Sequence, residues 1–161
     1  MTTNTTSISE SRVNSRNWLV ILALLFTLIG LGITGYLTYT HFADAELICV
    51  ESGQLDCNAV QSSAYSEIAG VPVAVLGLGA YVTFFLLLVL ENSIDFLAVN
   101  GRLIMFMLTL FGVIYSGYLT YIEAFVLEKW CQYCVGSALM MTGLFIISAI
   151  RAWTGEGEED F

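Results

Sequence analysis

Residues 130–150 read "WCQYCVGSALMMTGLFIISAI". The stretch opens on a C-x-x-C pair, Cys131 and Cys134, and carries no charge from Trp130 to Ile150. Lys129 stands just before it and Arg151 just after it. A helix of about 20 residues crosses the roughly 30 Å hydrocarbon core of a bilayer. A buried Arg or Lys costs about 3 kcal/mol on insertion scales. This window of 21 uncharged residues is therefore what a spanning helix requires. Its two thiols sit where the membrane meets water.

Three further uncharged windows precede it: Asn17–Thr40, Ile68–Leu90 and Leu103–Ile122. The 161-residue chain is 57% hydrophobic and 12% charged, with a mean hydropathy of +0.79. A soluble protein with four buried helices would need more polar surface than that composition leaves. The first window is too long, and wrongly flanked, for a cleaved signal peptide. The expected fold is an all-α membrane protein, a four-transmembrane-helix bundle with a short helix in the first extracytoplasmic loop. The helices are expected at about 17–40, 70–91, 102–123 and 131–151, within a membrane redox domain spanning 16–152. Residues 1–15, rich in Ser, Thr and Asn, read as a disordered cytoplasmic N-terminus, and 153–161 as an acidic disordered cytoplasmic tail.

Orientation follows from five basic residues. Arg12 and Arg16 precede the first span, Arg102 lies between the second and third, and Arg151 follows the fourth. The positive-inside rule makes that side cytoplasmic, with both termini on it. Only Lys129 lies opposite. The outer segments carry Asp44, Glu46, Glu51, Asp56, Glu67, Glu123 and Glu128, and the net charge is −9. Such a balance argues against nucleic-acid binding. No Asp or Glu falls inside any of the four windows.

The outer loop from His41 to Glu67 is long for a membrane hairpin. Its second half, "CNAVQSSAYSEIAG", spaces Val60, Ala64 and Ile68 as a helix would, which predicts a short helix at the membrane surface. Gly70 and Pro72 mark entry to the second span, since proline fits a first helical turn. There is also an internal repeat. Thr27–Tyr39 ("TLIGLGITGYLTY") and Thr109–Tyr121 ("TLFGVIYSGYLTY") share eight of thirteen positions at an offset of 82. The same offset maps Cys49 onto Cys131. The two helical hairpins thus read as parallel repeats, although membrane-helix composition, in which Gly, Thr and Leu are common, produces such likeness too.

All four cysteines fall at the outer face: Cys49 and Cys57 in the long loop, Cys131 and Cys134 at the start of the last span. Cysteines serving as small apolar residues would scatter through the spans. An even number on the side where disulfides form points to paired thiols. Structural disulfides, a four-thiolate zinc site and a redox relay all use that set. Zinc is disfavoured by the seven residues between Cys49 and Cys57, and no metal is expected. Residues three apart on a helix hold their Cβ atoms about 5–6 Å apart, whereas a relaxed disulfide wants about 3.5–4.5 Å. A Cys131–Cys134 bond within a helical turn would therefore be strained and easily reduced. A relay would place an exposed loop pair towards water-soluble thiols and a membrane pair towards a lipophilic two-electron acceptor, for which a quinone is the natural candidate.

The order of these elements resembles the vitamin K epoxide reductase family, in its bacterial and archaeal form without a fused thioredoxin-like domain. The resemblance rests on two loop cysteines seven residues apart, then "SSAYSEIAGVPVAVLGLGAY", then C-x-x-C opening the last helix, and covers about Trp18 to Arg151. It implies a four-helix bundle around a quinone such as menaquinone or ubiquinone. Cys131 and Cys134 match the active-site pair, with Cys134 nearer the quinone. Cys49 and Cys57 match the shuttle pair that takes electrons from a thioredoxin-like (DsbA-like) protein, Cys57 passing them to Cys131. Ser63 matches the residue that hydrogen-bonds a quinone oxygen, with Ser62 adjacent, and Tyr65 falls where an aromatic borders the pocket.

The implied activity is a membrane thiol–quinone oxidoreductase that supports disulfide formation. Three departures qualify the likeness. No thioredoxin-like domain follows, so the partner is expected to be separate. The asparagine that animal enzymes place in the second helix is missing among Val73–Leu76, which argues against epoxide reduction. The acidic tail points to a prokaryotic plasma membrane. A small membrane scaffold or transporter with structural disulfides is the rival reading, weakened by the lack of a carboxylate inside the windows.

Overall fold

The computed structural model describes residues 4–49, 53, 55–91, 93 and 95–155. Four long helices carry the chain: α1 (Asn4–Phe42), α3 (Val73–Leu90), α4 (Asp95–Ile122) and α5 (Gln132–Gly155). Between α1 and α3 lie the short α2 (Cys57–Gln61) and a two-stranded antiparallel hairpin, β1 (Glu67–Ile68) and β2 (Val71–Pro72). The stretches Trp18–Phe42, Val73–Leu90, Asn100–Leu127 and Gln132–Thr154 are long and apolar enough to cross a membrane. Large side chains such as Leu25, Leu86, Ile114 and Ile146 point outward, as they must when the surroundings are hydrocarbon. The bundle is the expected all-α, four-helix membrane fold.

α1 packs against α3 and α5, and α4 packs against α5. The core forms where these helices meet, around Ala23, Tyr81, Phe84, Met141 and Leu144. Tyr81 is fully buried, and its hydroxyl donates 2.9 Å to the Ser137 carbonyl, so α3 is tied to α5 by a polar bond inside an apolar core. Gly30 of α1 leaves room for the Tyr81 ring, which a Cβ at that position would strike. Gly112 of α4 does the same for Met141 of α5. These glycines are equivalent in the internal repeat. So are Thr27 and Thr109, both fully buried and each returning its hydroxyl to the carbonyl four residues back, Ala23 and Met105. The repeat thus encodes one packing device used twice: a small residue that admits the following helix, and a threonine that satisfies itself.

At the end of the bundle away from the cysteines, Arg151 reaches both carboxylate oxygens of Glu91, at 2.6 and 2.7 Å. Both side chains are largely shielded. Arg151 therefore does more than flank the last span; it fastens the end of α3 to α5.

Several boundaries differ from expectation. α1 begins at Asn4, within the segment read as disordered; that segment has no Gly or Pro, so the helix continues backwards from the span. The loop helix stops at Gln61, short of Ile68, because Ser62 caps it and turns follow through Ser63 and Ser66. Ala69 and Gly70 then take positive φ (53° and 81°) and make the two-residue turn of the hairpin. Pro72 precedes α3 as its N-cap. Past Ile122, α4 widens into a π-turn, Glu123–Leu127, that ends on left-handed Glu128 (φ 51°). Residues 50–52, 54 and 156–161, which include most of the "VESGQLD" loop and the acidic tail, lie outside the described residues.

Candidate functional site

All four cysteines gather at the end of the bundle where α1 and α4 finish and α3 and α5 begin. Cys49 and Cys57 are joined by a disulfide with their Cα atoms 6.3 Å apart. The bond takes two thiols out of any four-thiolate zinc site. Cys131 and Cys134 are free thiols. Cys57 and Cys131 are each only 1% exposed and belong to one apolar cluster with Leu37, Leu47 and Val60, against which Cys49, Tyr133 and Cys134 also pack. The two pairs thus share one buried pocket of side chains.

Local bonds hold the loop pair there. Asp56 caps α2 by accepting from Ala59 N–H at 3.0 Å, which fixes Cys57 as the first helical residue. Asn58 accepts from Leu47 N–H, and Gln61 donates to the Leu37 carbonyl, so α2 is strapped to the segment after α1 and to α1 itself. The C-x-x-C segment supplies the rest. Leu55 forms a parallel bridge with Trp130, whose carbonyl accepts from Asp56 N–H at 3.1 Å. The Tyr133 hydroxyl donates 2.8 Å to the Ile48 carbonyl. Lys129 donates to the Gly53 carbonyl at 3.1 Å. The lysine therefore braces the loop and does not face the thiols.

Cys131 stands one residue before α5, with its carbonyl accepting from Val135 N–H. It is the N-cap and Cys134 the third helical residue, so the pair bridges a helix end instead of lying within a regular turn. That removes the premise of the strained in-helix disulfide. The Cys131 sulfur accepts from the Cys134 thiol and from the N–H groups of Cys134 and Tyr133. The thiol leads in holding Cys131 below the ordinary thiol range, against its burial.

Glu123 completes the group. It is 4% exposed, and its carboxylate accepts from Cys131 N–H at 3.2 Å and neighbours the Cys134 thiol. The π-turn makes this possible. The Glu123 carbonyl accepts from the N–H groups of Glu128 and Lys129, which coils the chain end and presents the carboxylate to the start of α5. The sequence analysis placed Glu123 among the acidic outer residues. Only its position one residue past an uncharged window hinted otherwise.

Beside the thiols opens a cavity of about 470 Å³ between the helices. Its walls are mainly apolar, with Leu76, Phe84, Phe111 and Leu119 among them, and Glu123, Cys131 and Cys134 at one end. Ser63 and Tyr65 both line it. Ser63 donates its hydroxyl hydrogen to the Val60 carbonyl at 2.7 Å, leaving its oxygen to accept. Ser62 is exposed and lies off the cavity wall. Among the described residues, two lining atoms that sequence reasoning missed find no hydrogen-bond partner: Gln61 Oε1 and the Tyr115 hydroxyl. Buried polar atoms are seldom left so without a ligand to meet them. An apolar chamber of this size with a few polar points suits a flat, lipid-soluble ring bearing oxygens. Tyr115 can donate to one such oxygen. The family model of the vitamin K epoxide reductase family matches residues 19–149.

Proposed function

The chain belongs to the vitamin K epoxide reductase family, and on that premise we propose that it carries electrons from thiols outside the cell to a membrane quinone in two stages. The family is one of membrane thiol–quinone oxidoreductases. In this reading a separate thioredoxin-like, DsbA-like protein reduces the Cys49–Cys57 disulfide. Cys57 then attacks Cys131 of an oxidised Cys131–Cys134 pair, which takes up two electrons and becomes the dithiol as Cys49–Cys57 re-forms. The Cys131–Cys134 dithiol delivers the electrons to a quinone, and the net outcome is disulfide formation. The quinone is a menaquinone, a ubiquinone or a similar compound. Ser63 and Tyr65 border it, and Cys134 faces it. The setting is a prokaryotic plasma membrane with both termini cytoplasmic and the cysteines outside.

The observation that carries this reading is the packing of both cysteine pairs into one apolar cluster, with Cys131 and Cys134 lining the adjoining apolar cavity. A scaffold with structural disulfides has no use for two free thiols lining a chamber. The apolar wall formed by Val73, Ala74, Leu76 and Gly77 supplies no amide for an epoxide oxygen, which favours quinone over epoxide as the oxidant. The test is to replace Cys134 with Ala and follow quinone reduction by a reduced DsbA-like protein. The relay requires turnover to vanish; turnover equal to wild type would refute it.

A further inference from the structure

We propose that Glu123 is a catalytic residue of the dithiol–quinone step: its carboxylate takes the proton of the Cys134 thiol and passes it to the quinone oxygen as the Cys131–Cys134 disulfide forms. The inference rests on the thiol–quinone reading above and deepens it.

Three observations carry it. Glu123 is nearly fully buried, yet among the described residues its carboxylate forms no ion pair with a cation. Its carboxylate accepts from the Cys131 N–H at 3.2 Å and neighbours the Cys134 thiol, so it adjoins both residues of the reacting pair. It also lines the cavity that adjoins both sulfurs. A lone buried carboxylate is an expensive structural element. A neutral amide would cap the Cys131 N–H at lower cost, so a buried carboxyl group able to exchange a proton calls for a use. The π-turn that delivers it is a local departure from α-helix of the kind found where helices meet function.

The chemistry balances. Oxidising the dithiol breaks two S–H bonds and makes one S–S bond, releasing two protons and two electrons. Reducing a quinone to its hydroquinone takes up two of each. The Cys134 thiol has two acceptors beside it, the Cys131 sulfur and the Glu123 carboxylate. Transfer to Glu123 leaves a thiolate at Cys134, and the carboxyl then returns the proton to the reduced ring. The second proton comes from the Cys131 thiol. Glu123 ends each cycle as it began. Burial of Glu123 and Cys131 keeps bulk water from this exchange, which is why a resident carboxylate is needed.

Other titratable groups face the same space. His41 comes from α1, Tyr65 from the loop, Tyr115 from α4, and Cys131 and Cys134 from the start of α5. His41 also approaches Glu67 at 3.9 Å. A pH profile must therefore be compared between variants and not read alone.

The experiment uses the full-length protein in detergent or nanodiscs, dithiothreitol as electron donor and a short-chain ubiquinone or menaquinone as acceptor. Glu123→Gln keeps an oxygen to cap Cys131 N–H but cannot take the proton. It should lower kcat about 100-fold, the scale of lost acid–base catalysis. KM for the quinone should stay within about threefold, and the loss should shrink as pH rises and hydroxide deprotonates the thiol. A kcat within threefold of wild type would overturn the proposal. Equal losses at every pH would also overturn it, since they mark a structural defect. Infrared difference spectroscopy of the wild type, which needs no variant, gives a second test. A protonated-carboxyl absorption that rises and then decays as quinone oxidises the dithiol supports the proposal, and its absence overturns it. If the wild type itself reduces no quinone, the thiol–quinone reading falls, and this inference with it. If the wild type turns over and Glu123→Gln matches it, only this inference falls.

Discussion

The Tyr133 hydroxyl donates a 2.8 Å hydrogen bond to the Ile48 carbonyl, which joins a residue inside the C-x-x-C pair to the residue before Cys49. On the other side of the loop, Asp56 N–H bonds the Trp130 carbonyl, one residue from Cys57 and one from Cys131. The two cysteine pairs are thus clipped together by their immediate neighbours. Thiol–disulfide exchange needs an attacking sulfur in line with the bond it breaks, and these clips limit how far either pair can drift.

Removing the first clip should slow exchange between the pairs. Tyr133→Phe keeps the ring packed on Tyr36, whose centroid is 5.3 Å away, and deletes only the bond to Ile48. A hydrogen bond is worth about 1 kcal/mol net, so exchange should slow about fivefold. Rapid mixing with reductant, acid quench and mass-resolved alkylation would read it. An unchanged rate would mean that the loop positions itself without the clip.

The Cys131 thiol is held below the ordinary range, chiefly by the Cys134 thiol that donates to it. A lowered value keeps the thiolate present at lower pH. In a Cys49→Ala, Cys57→Ala background, iodoacetamide labelling of Cys131 should therefore begin at a more acidic pH than for a free thiol. Adding Cys134→Ala removes the leading donor, and the labelling midpoint should move to higher pH. A midpoint that stays fixed or moves down would contradict this account.

Arg151 and Glu91 form a shielded pair that ties α5 to the end of α3. Glu91→Gln leaves the guanidinium without its partner and should destabilise the bundle by about 3 kcal/mol. Removing both, as Glu91→Leu with Arg151→Met, should recover much of that. Unfolding in mixed micelles measures each, and quinone reduction per folded molecule should not change. A single variant as stable as wild type would show the pair to be idle.

Gly30 and Gly112 occupy equivalent repeat positions but face different neighbours. A methyl at residue 30 strikes the Tyr81 ring, which cannot turn aside while its hydroxyl holds Ser137. A methyl at residue 112 meets the thioether of Met141, which can rotate. Gly30→Ala should then cost about 1–3 kcal/mol, and Gly112→Ala clearly less. The reverse order in thermal unfolding would undo this account of the repeat.

Much of this was legible in the chain. Charge-free windows reveal spans because a charge in lipid is costly, and each window recurs as an apolar helix. The cysteine pattern pointed to the end of the bundle where all four cysteines come together, because it is a short, local signal. What escaped was set by tertiary geometry. Glu123 sits one residue past the window ending at Ile122, and nothing in the letters "IEAFVLEKW" says that the helix widens there and turns a carboxylate inward. Tyr115 looked like one of many packing tyrosines until its hydroxyl proved to have no partner in the cavity wall. The spacing of Val60, Ala64 and Ile68 overstates the loop helix, because Ser63 and Ser66 turn their hydroxyls back onto the chain and the helix ends at Gln61.

The central claim is that electrons pass from Cys57 to Cys131. Cys49→Ala and Cys134→Ala together remove the cysteine that resolves each side of that exchange. Purified under mild oxidation, digested and analysed by mass spectrometry without reduction, this variant should carry a Cys57–Cys131 disulfide as its main linkage. Two free thiols at Cys57 and Cys131 under the same oxidation would contradict the relay.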